Sequence, residues 1–217
     1  PPTIEGGTAG EEPPETIEDR EEGRYFSTLR VLGQIKQAYI VCEDASGLVV
    51  VDQHAAHERI GFERLRRIYE REHDETQSML FGQRLEFDAV RADAMAEYAD
   101  FFEKAGFEVE HFGGQTWAVK SVPAVLEDAD LETVVRDALD ELADLGQTER
   151  LDEAMNAVLS RIACHSVVRG PTPLTDEECE SLLEQMDEID FRANCPHGRP
   201  VYYRMPLEEL EKAFERS

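Results

Sequence analysis

The run Leu48-Val49-Val50-Val51 stops at Asp52, and beyond it the apolar residues change period. Up to Val51 the β-branched residues are contiguous, as in a buried strand. Past Asp52, the residues Ile60, Phe62, Leu65, Ile68 and Tyr69 recur at roughly helical spacing. A strand that runs straight into a long helix restricts the chain to folds mixing sheet and helix. Asp52, at the junction, is a natural N-cap, and active-site groups often sit at such strand ends.

The rest of the chain fits an α/β class of the α+β kind. Residues 30–40 and 47–51 read as two strands joined by a turn at 43–47. Residues 83–87 read as a strand, and 92–105 as a helix ending at Gly106. A hairpin around Gly113-Gly114 pairs 107–112 with 115–119. Helices are expected over 131–145, 154–166 and 176–188. A loop at 194–200 then leads into a strand at 201–203 and a last helix over 207–214. Residues 1–24, rich in Pro, Gly and Glu without apolar periodicity, read as a disordered linker with another domain upstream. The opening Pro1 in place of Met also reads as a fragment. On this pattern 25–83 and 154–217 form one lobe, and 84–153 an inserted one.

A 217-residue chain with 41% hydrophobic residues can bury a sizeable core. No stretch approaches the roughly 18 apolar residues of a membrane span, and no signal peptide is evident, so the expected location is cytoplasmic. Asp and Glu total 48 against 22 Lys and Arg, a net charge of −26. Interleaving of acidic with apolar residues argues against an acidic tail. Proteins that hold acidic partners by bulk electrostatics are basic. What remains is a surface adapted to very high salt, as in a halophile, where screening tolerates self-repulsion.

Chemistry concentrates in three places. In Asp52-Gln53-His54-Ala55-Ala56-His57-Glu58, His54 and Glu58 are four residues apart and share a helix face. An imidazole and a carboxylate so placed can grip one divalent cation. His57 is within reach of the same side, whereas Glu63 lies about 140° around the helix from Glu58. The alternative is a capped surface helix whose His and Glu face solvent. The order His-x-x-His-Glu is neither of the zinc-peptidase orders. In Cys195-Pro196-His197-Gly198-Arg199-Pro200, a thiol and an imidazole two residues apart on a stiff loop suit zinc, or else make a tight turn around a buried thiol. Ala163-Cys164-His165 closes a helix, with Cys164 a candidate ligand and His165 a C-terminal cation. Cys42 and Cys179 read as core thiols.

Together these elements resemble the MutL mismatch-repair family. Asp52-Gln53-His54-Ala55-x-x-Glu58-x-x-x-x-Glu63 is similar to that family's endonuclease motif. Cys195-Pro196-His197-Gly198-Arg199-Pro200 matches a second family element, and Ala163-Cys164-His165 stands where the family has Ala-Cys-Arg or Ala-Cys-Lys. The resemblance covers roughly residues 25–217 and corresponds to the C-terminal domain. It implies a two-lobed fold, a dimerisation lobe with an inserted regulatory lobe, and a latent metal-dependent DNA-nicking activity in a homodimer. By the family pattern Asp52, His54, Glu58, Cys164, Cys195 and His197 surround one or two ions per subunit, manganese and/or zinc. The resemblance also implies that Asp52, His54 and Glu58 carry the catalysis, with Glu58 placed to bridge the ions. Arg199 and Arg169 are expected to position a phosphate, since a guanidinium matches phosphate geometry. His165 and Glu63 are further candidates. The implied partners are a mismatch-recognition protein, a sliding clamp, an N-terminal ATPase domain, and DNA, bound weakly by so acidic a domain, with no membrane involved. The family's clamp-binding pattern Gln-x-Leu-x-x-Pro has its nearest counterpart in Gln77-Ser78-Met79-Leu80-Phe81-Gly82, with Gly82 in place of Pro. A rival reading from the same residues is a zinc-stabilised dimerisation module without catalysis.

Overall fold

The computed structural model describes residues 24–71, 76–145, 151–166, 173–189 and 199–216. The expected mixture of sheet and helix is present, and both sheets are antiparallel. After a short 3-10 turn at Phe26–Thr28, strands β1 (Arg30–Ile35), β2 (Tyr39–Asp44) and β3 (Gly47–Asp52) form a meander that runs into helix α1 (Gln53–Arg71). Strand β4 (Thr76–Glu86) leads to helices α2 (Ala89–Glu97) and α3 (Ala99–Lys104), then to the hairpin β5 (Glu108–Gly113) and β6 (Thr116–Pro123). Helices α4 (Leu131–Leu145), α5 (Leu151–His165) and α6 (Asp176–Asp187) follow, then β7 (Tyr202–Pro206) and α7 (Leu207–Ala213). The first sheet has the order β1-β2-β3-β7 and the second β4-β6-β5.

Three elements depart from the sequence pattern. The expected strand over 30–40 is two strands, reversed at Lys36 and Gln37, which hold φ of 52° and 55°. Two positive φ values suit a tight hairpin, but Lys-Gln lacks the usual Asn-Gly signature. The expected helix over 92–105 begins at Ala89 and breaks at Tyr98 (φ −104°, ψ 16°). Strand β4 starts at Thr76 rather than residue 83, because its first half is almost wholly exposed and shows no alternation. The hairpin around Gly113-Gly114 and helix α4 fall where periodicity placed them.

Two cores result. In the first, Ile40, Cys42, Val49 and Val51 from one face of the β1-β2-β3-β7 sheet meet Ala55, Ala56 and Ile60 of α1 and Cys179, Leu182, Leu183 and Met186 of α6. The second core packs Leu85, Trp117, Val119 and Val122 of the other sheet against α2–α5 and against Phe62 and Leu65 of α1. Helix α1 therefore belongs to both. Helix α6 is started by a capping box, with the Thr175 and Glu178 side chains satisfying each other's backbone N–H. Gly47 is required where β3 begins: a Cβ there would lie 2.1 Å from the Met205 carbonyl oxygen of β7.

The far face of the first sheet is a different surface. Val41, Val50 and Tyr203 are neighbours across β2, β3 and β7. Leu32, Ile35, Tyr39 and Tyr203 are each about half exposed.

Candidate metal centre

Asp52 is held from both sides before α1 begins. Its amide donates to the Val201 carbonyl at 2.8 Å, and the Gln53 amide donates to Ala38 at 2.9 Å. Its own carboxylate accepts the Ala55 amide at 3.0 Å, the cap expected of an Asp at a strand–helix junction. One turn on, His54 Nε2 stands 3.2 Å from Glu58 Oε1. The His54 side chain is 50% exposed and that of Glu58 11%, so the pair spans from rim to interior. His57, in contrast, turns back along the helix, its Nδ1 donating to the Gln53 carbonyl at 2.7 Å. Burial, reinforced by His54 nearby, lowers its pKa against the raising effect of that hydrogen bond, which favours the neutral imidazole.

Glu63 does not join the pair. Its side chain is 2% exposed, and its two oxygens meet Arg59 at 2.6 Å and Arg66 at 3.2 Å. Both arginines lie on α1, at i−4 and i+3 from Glu63, a spacing that the sequence displays and that burial turns into an ion-paired triad. His165, the other added candidate, points to α4: its Nε2 donates to Asp137 Oδ2 at 2.9 Å, with the side chain 7% exposed.

Cys164 is half-buried in the last turn of α5. That turn reaches α1 through Gly61, where a Cβ would lie 2.6 Å from Ser166 Oγ and 3.8 Å from the Ala163 Cβ. His54 and Gly61 are seven residues apart and so share a helix face. The turn bearing Cys164 thus packs on α1 at Gly61, about two turns beyond His54. Arg199 is exposed. Cys195, His197 and Arg169 lie outside the described residues. In the segment 77–82, Gln77 donates to Glu127 at 3.1 Å and Met79 packs on the second core, while Leu80 and Phe81 project at 90% and 83% exposure.

Two donors bound to one ion at about 2.0–2.2 Å sit about 3.0–3.4 Å from each other. The His54–Glu58 separation of 3.2 Å fits that span, and nitrogen and carboxylate oxygen suit manganese or zinc. Among the described residues no three His, Cys, Asp or Glu side chains converge on one point. The described portion is therefore an N,O pair in the first turns of a helix that Asp52 caps. Among the described residues, too, no helix is long and apolar enough to cross a membrane.

Residues 32–174 match the family described as the MutL C terminal dimerisation domain. The chain is 46% identical to the DNA mismatch repair protein MutL of Geobacter sulfurreducens over 197 residues, which is 91% of this chain and 32% of that protein. It is 43% identical to the protein of that name from Geotalea daltonii (90% of this chain, 33% of that protein) and 45% identical to that from Trichlorobacter lovleyi (88% and 33%). The chain spans about a third of the length of these relatives. A family match across both cores, joined to relatives that cover nine-tenths of the chain, establishes that it belongs to the MutL C-terminal dimerisation domains.

Proposed function

We propose that this domain serves DNA mismatch repair as a homodimer and carries a metal-dependent DNA-nicking site at the start of α1. The observation that supports the site best is the 3.2 Å His54–Glu58 pair beside the capped Asp52. A divalent cation there supplies the Lewis acidity that phosphodiester hydrolysis needs. Asp52, His54 and Glu58 would hold it, with Cys164, Cys195 and His197 as the remaining donors. Manganese fits the oxygen-rich side and zinc the thiolate side. The protein's own residues do the positioning: β3 fixes Asp52, α1 fixes the imidazole and carboxylate one turn apart, and Gly61 admits the turn with Cys164. Arg199 and Arg169 offer planar guanidinium groups to a phosphate.

The half-exposed apolar face of the first sheet supports homodimerisation, since contiguous apolar surface of this kind marks association sites. The −26 charge disfavours DNA binding by the domain alone. DNA would then reach the site through an N-terminal ATPase domain and a mismatch-recognition protein. Leu80 and Phe81 are the exposed apolar groups that a sliding clamp would take up.

The test is nicking of supercoiled plasmid by the domain with Mn2+ at molar KCl. Parent protein should nick and Glu58→Gln should not. Equal nicking by both removes the assignment. A stable dimer that binds zinc and never nicks supports the non-catalytic module instead.

A further inference from the structure

The described chain begins at a turn that is tied in three directions. The backbone N–H groups of Tyr25, Phe26 and Ser27 all donate to the carboxylate of Asp187, each at 2.8 Å. Asp187 is the last residue of α6. The Phe26 ring is buried and meets Tyr202 edge-on, with centroids 5.2 Å apart. The Tyr25 hydroxyl donates to Asp44 at 3.1 Å, beside the β2–β3 turn. Three amides on one carboxylate make a charge-assisted anchor rather than a loose contact.

The anchored groups lead directly to the metal centre. Tyr202 follows Val201, whose carbonyl accepts the Asp52 amide at 2.8 Å. Helix α6 is bound to α1 by Arg64 donating to Gln185 at 3.1 Å and Arg67 donating to the Glu188 carbonyl at 2.6 Å. The strand end that carries Asp52 and the helix that carries His54 and Glu58 are therefore braced on the same turn.

We propose that the turn bound by Asp187 is a positioning device, through which Tyr25, Phe26 and Ser27 set the divalent-cation affinity of the His54–Glu58 pair beside Asp52. The inference rests on the metal-centre reading above and adds a positioning residue to it. Loss of the Asp187 contacts would release Phe26 and Tyr202, and through them the geometry of the donors. Asp187 touches neither cation nor substrate; it is a positioning residue.

The experiment titrates Mn2+ into the whole 217-residue chain and follows the free ion by electron paramagnetic resonance. Asp187→Asn keeps the shape but withdraws the charge and one acceptor oxygen; it should weaken Mn2+ binding by about 10-fold, the range for groups that orient metal ligands. Asp187→Ala should weaken it further. Leu139→Ala opens a cavity in the second core, away from β3 and from the turn. It should lower the melting temperature at least as much as Asp187→Asn and leave Mn2+ affinity unchanged. Parent-like affinity in both Asp187 variants, or an equal loss in Leu139→Ala, overturns the coupling. If the parent binds no Mn2+, or Glu58→Gln binds it as tightly as the parent, the metal-centre reading fails and the coupling with it.

Discussion

Gly61 of α1 and Ser166 beyond α5 approach so closely that a methyl group on Gly61 would lie 2.6 Å from the serine hydroxyl oxygen. That hydroxyl is itself engaged, donating to the Ala163 carbonyl at 2.7 Å. Alanine here gains about 1 kcal/mol of helix propensity over glycine, so the smallest substitution tests geometry with little penalty to the helix. Valine is too large, and overpacking of this kind costs about 1–3 kcal/mol. Gly61→Val should lower the melting temperature and weaken Zn2+ binding. Ser166→Gly in the same chain should restore part of both. Absence of any rescue would show that the two positions are not in contact.

Glu58 and Glu63 should separate cleanly by phenotype. Glu63→Gln strips buried Arg59 of the carboxylate it pairs with, and breaking a buried pair costs about 3–5 kcal/mol. Glu58→Gln should abolish Mn2+-dependent nicking at less cost in stability, because its partner His54 is half exposed. Urea unfolding and the plasmid assay, run on both variants, check the pairing. Reversed phenotypes would exchange the two roles.

These two residues also show how far the sequence carries. Both occupy motif positions, and helical angles alone set Glu63 about 140° from Glu58. What periodicity does not display is the partner: Arg59 and Arg66 look like ordinary surface charges until Glu63 is seen to be buried. His165 presented the same difficulty, since its partner Asp137 is 28 residues away on another helix. Contacts within one helix are written in local spacing, whereas those between helices depend on packing. The capping box at Thr175 and Glu178 is legible as Thr-x-x-Glu, because both its partners lie within one turn. The break at Tyr98 has no comparable mark, because no Pro or Gly stands there.

Ile35 and Tyr203 supply a test of the dimer face. A charged side chain on an apolar contact surface must be desolvated on association. Tyr203→Glu and Ile35→Glu should each convert the dimer to monomer in sedimentation velocity while leaving the helical signal unchanged. A dimer that survives both changes would place the interface elsewhere.

Acid stability should depend on Glu178. The Thr175 backbone amide at 2.7 Å, with its hydroxyl at 2.9 Å, holds the Glu178 carboxyl below its usual range. Because the folded pKa is the lower one, the unfolded chain takes up the proton first as pH falls. The stabilisation is then present above about pH 4.3, the ordinary glutamate value, and fades below it. Melting curves of parent and Glu178→Gln should differ at neutral pH and converge in acid. A gap that stays constant with pH would assign the effect to something other than the charge.

Helix α1 contributes Ala56 and Ile60 to one core and Phe62 and Leu65 to the other. A rod embedded in both cannot be released by one while the other keeps its order. The molecule should therefore melt as a single cooperative unit despite its two sheets. Amides near Glu58 should exchange with solvent only at the rate of global opening, so neither core can loosen that end of the helix without the other.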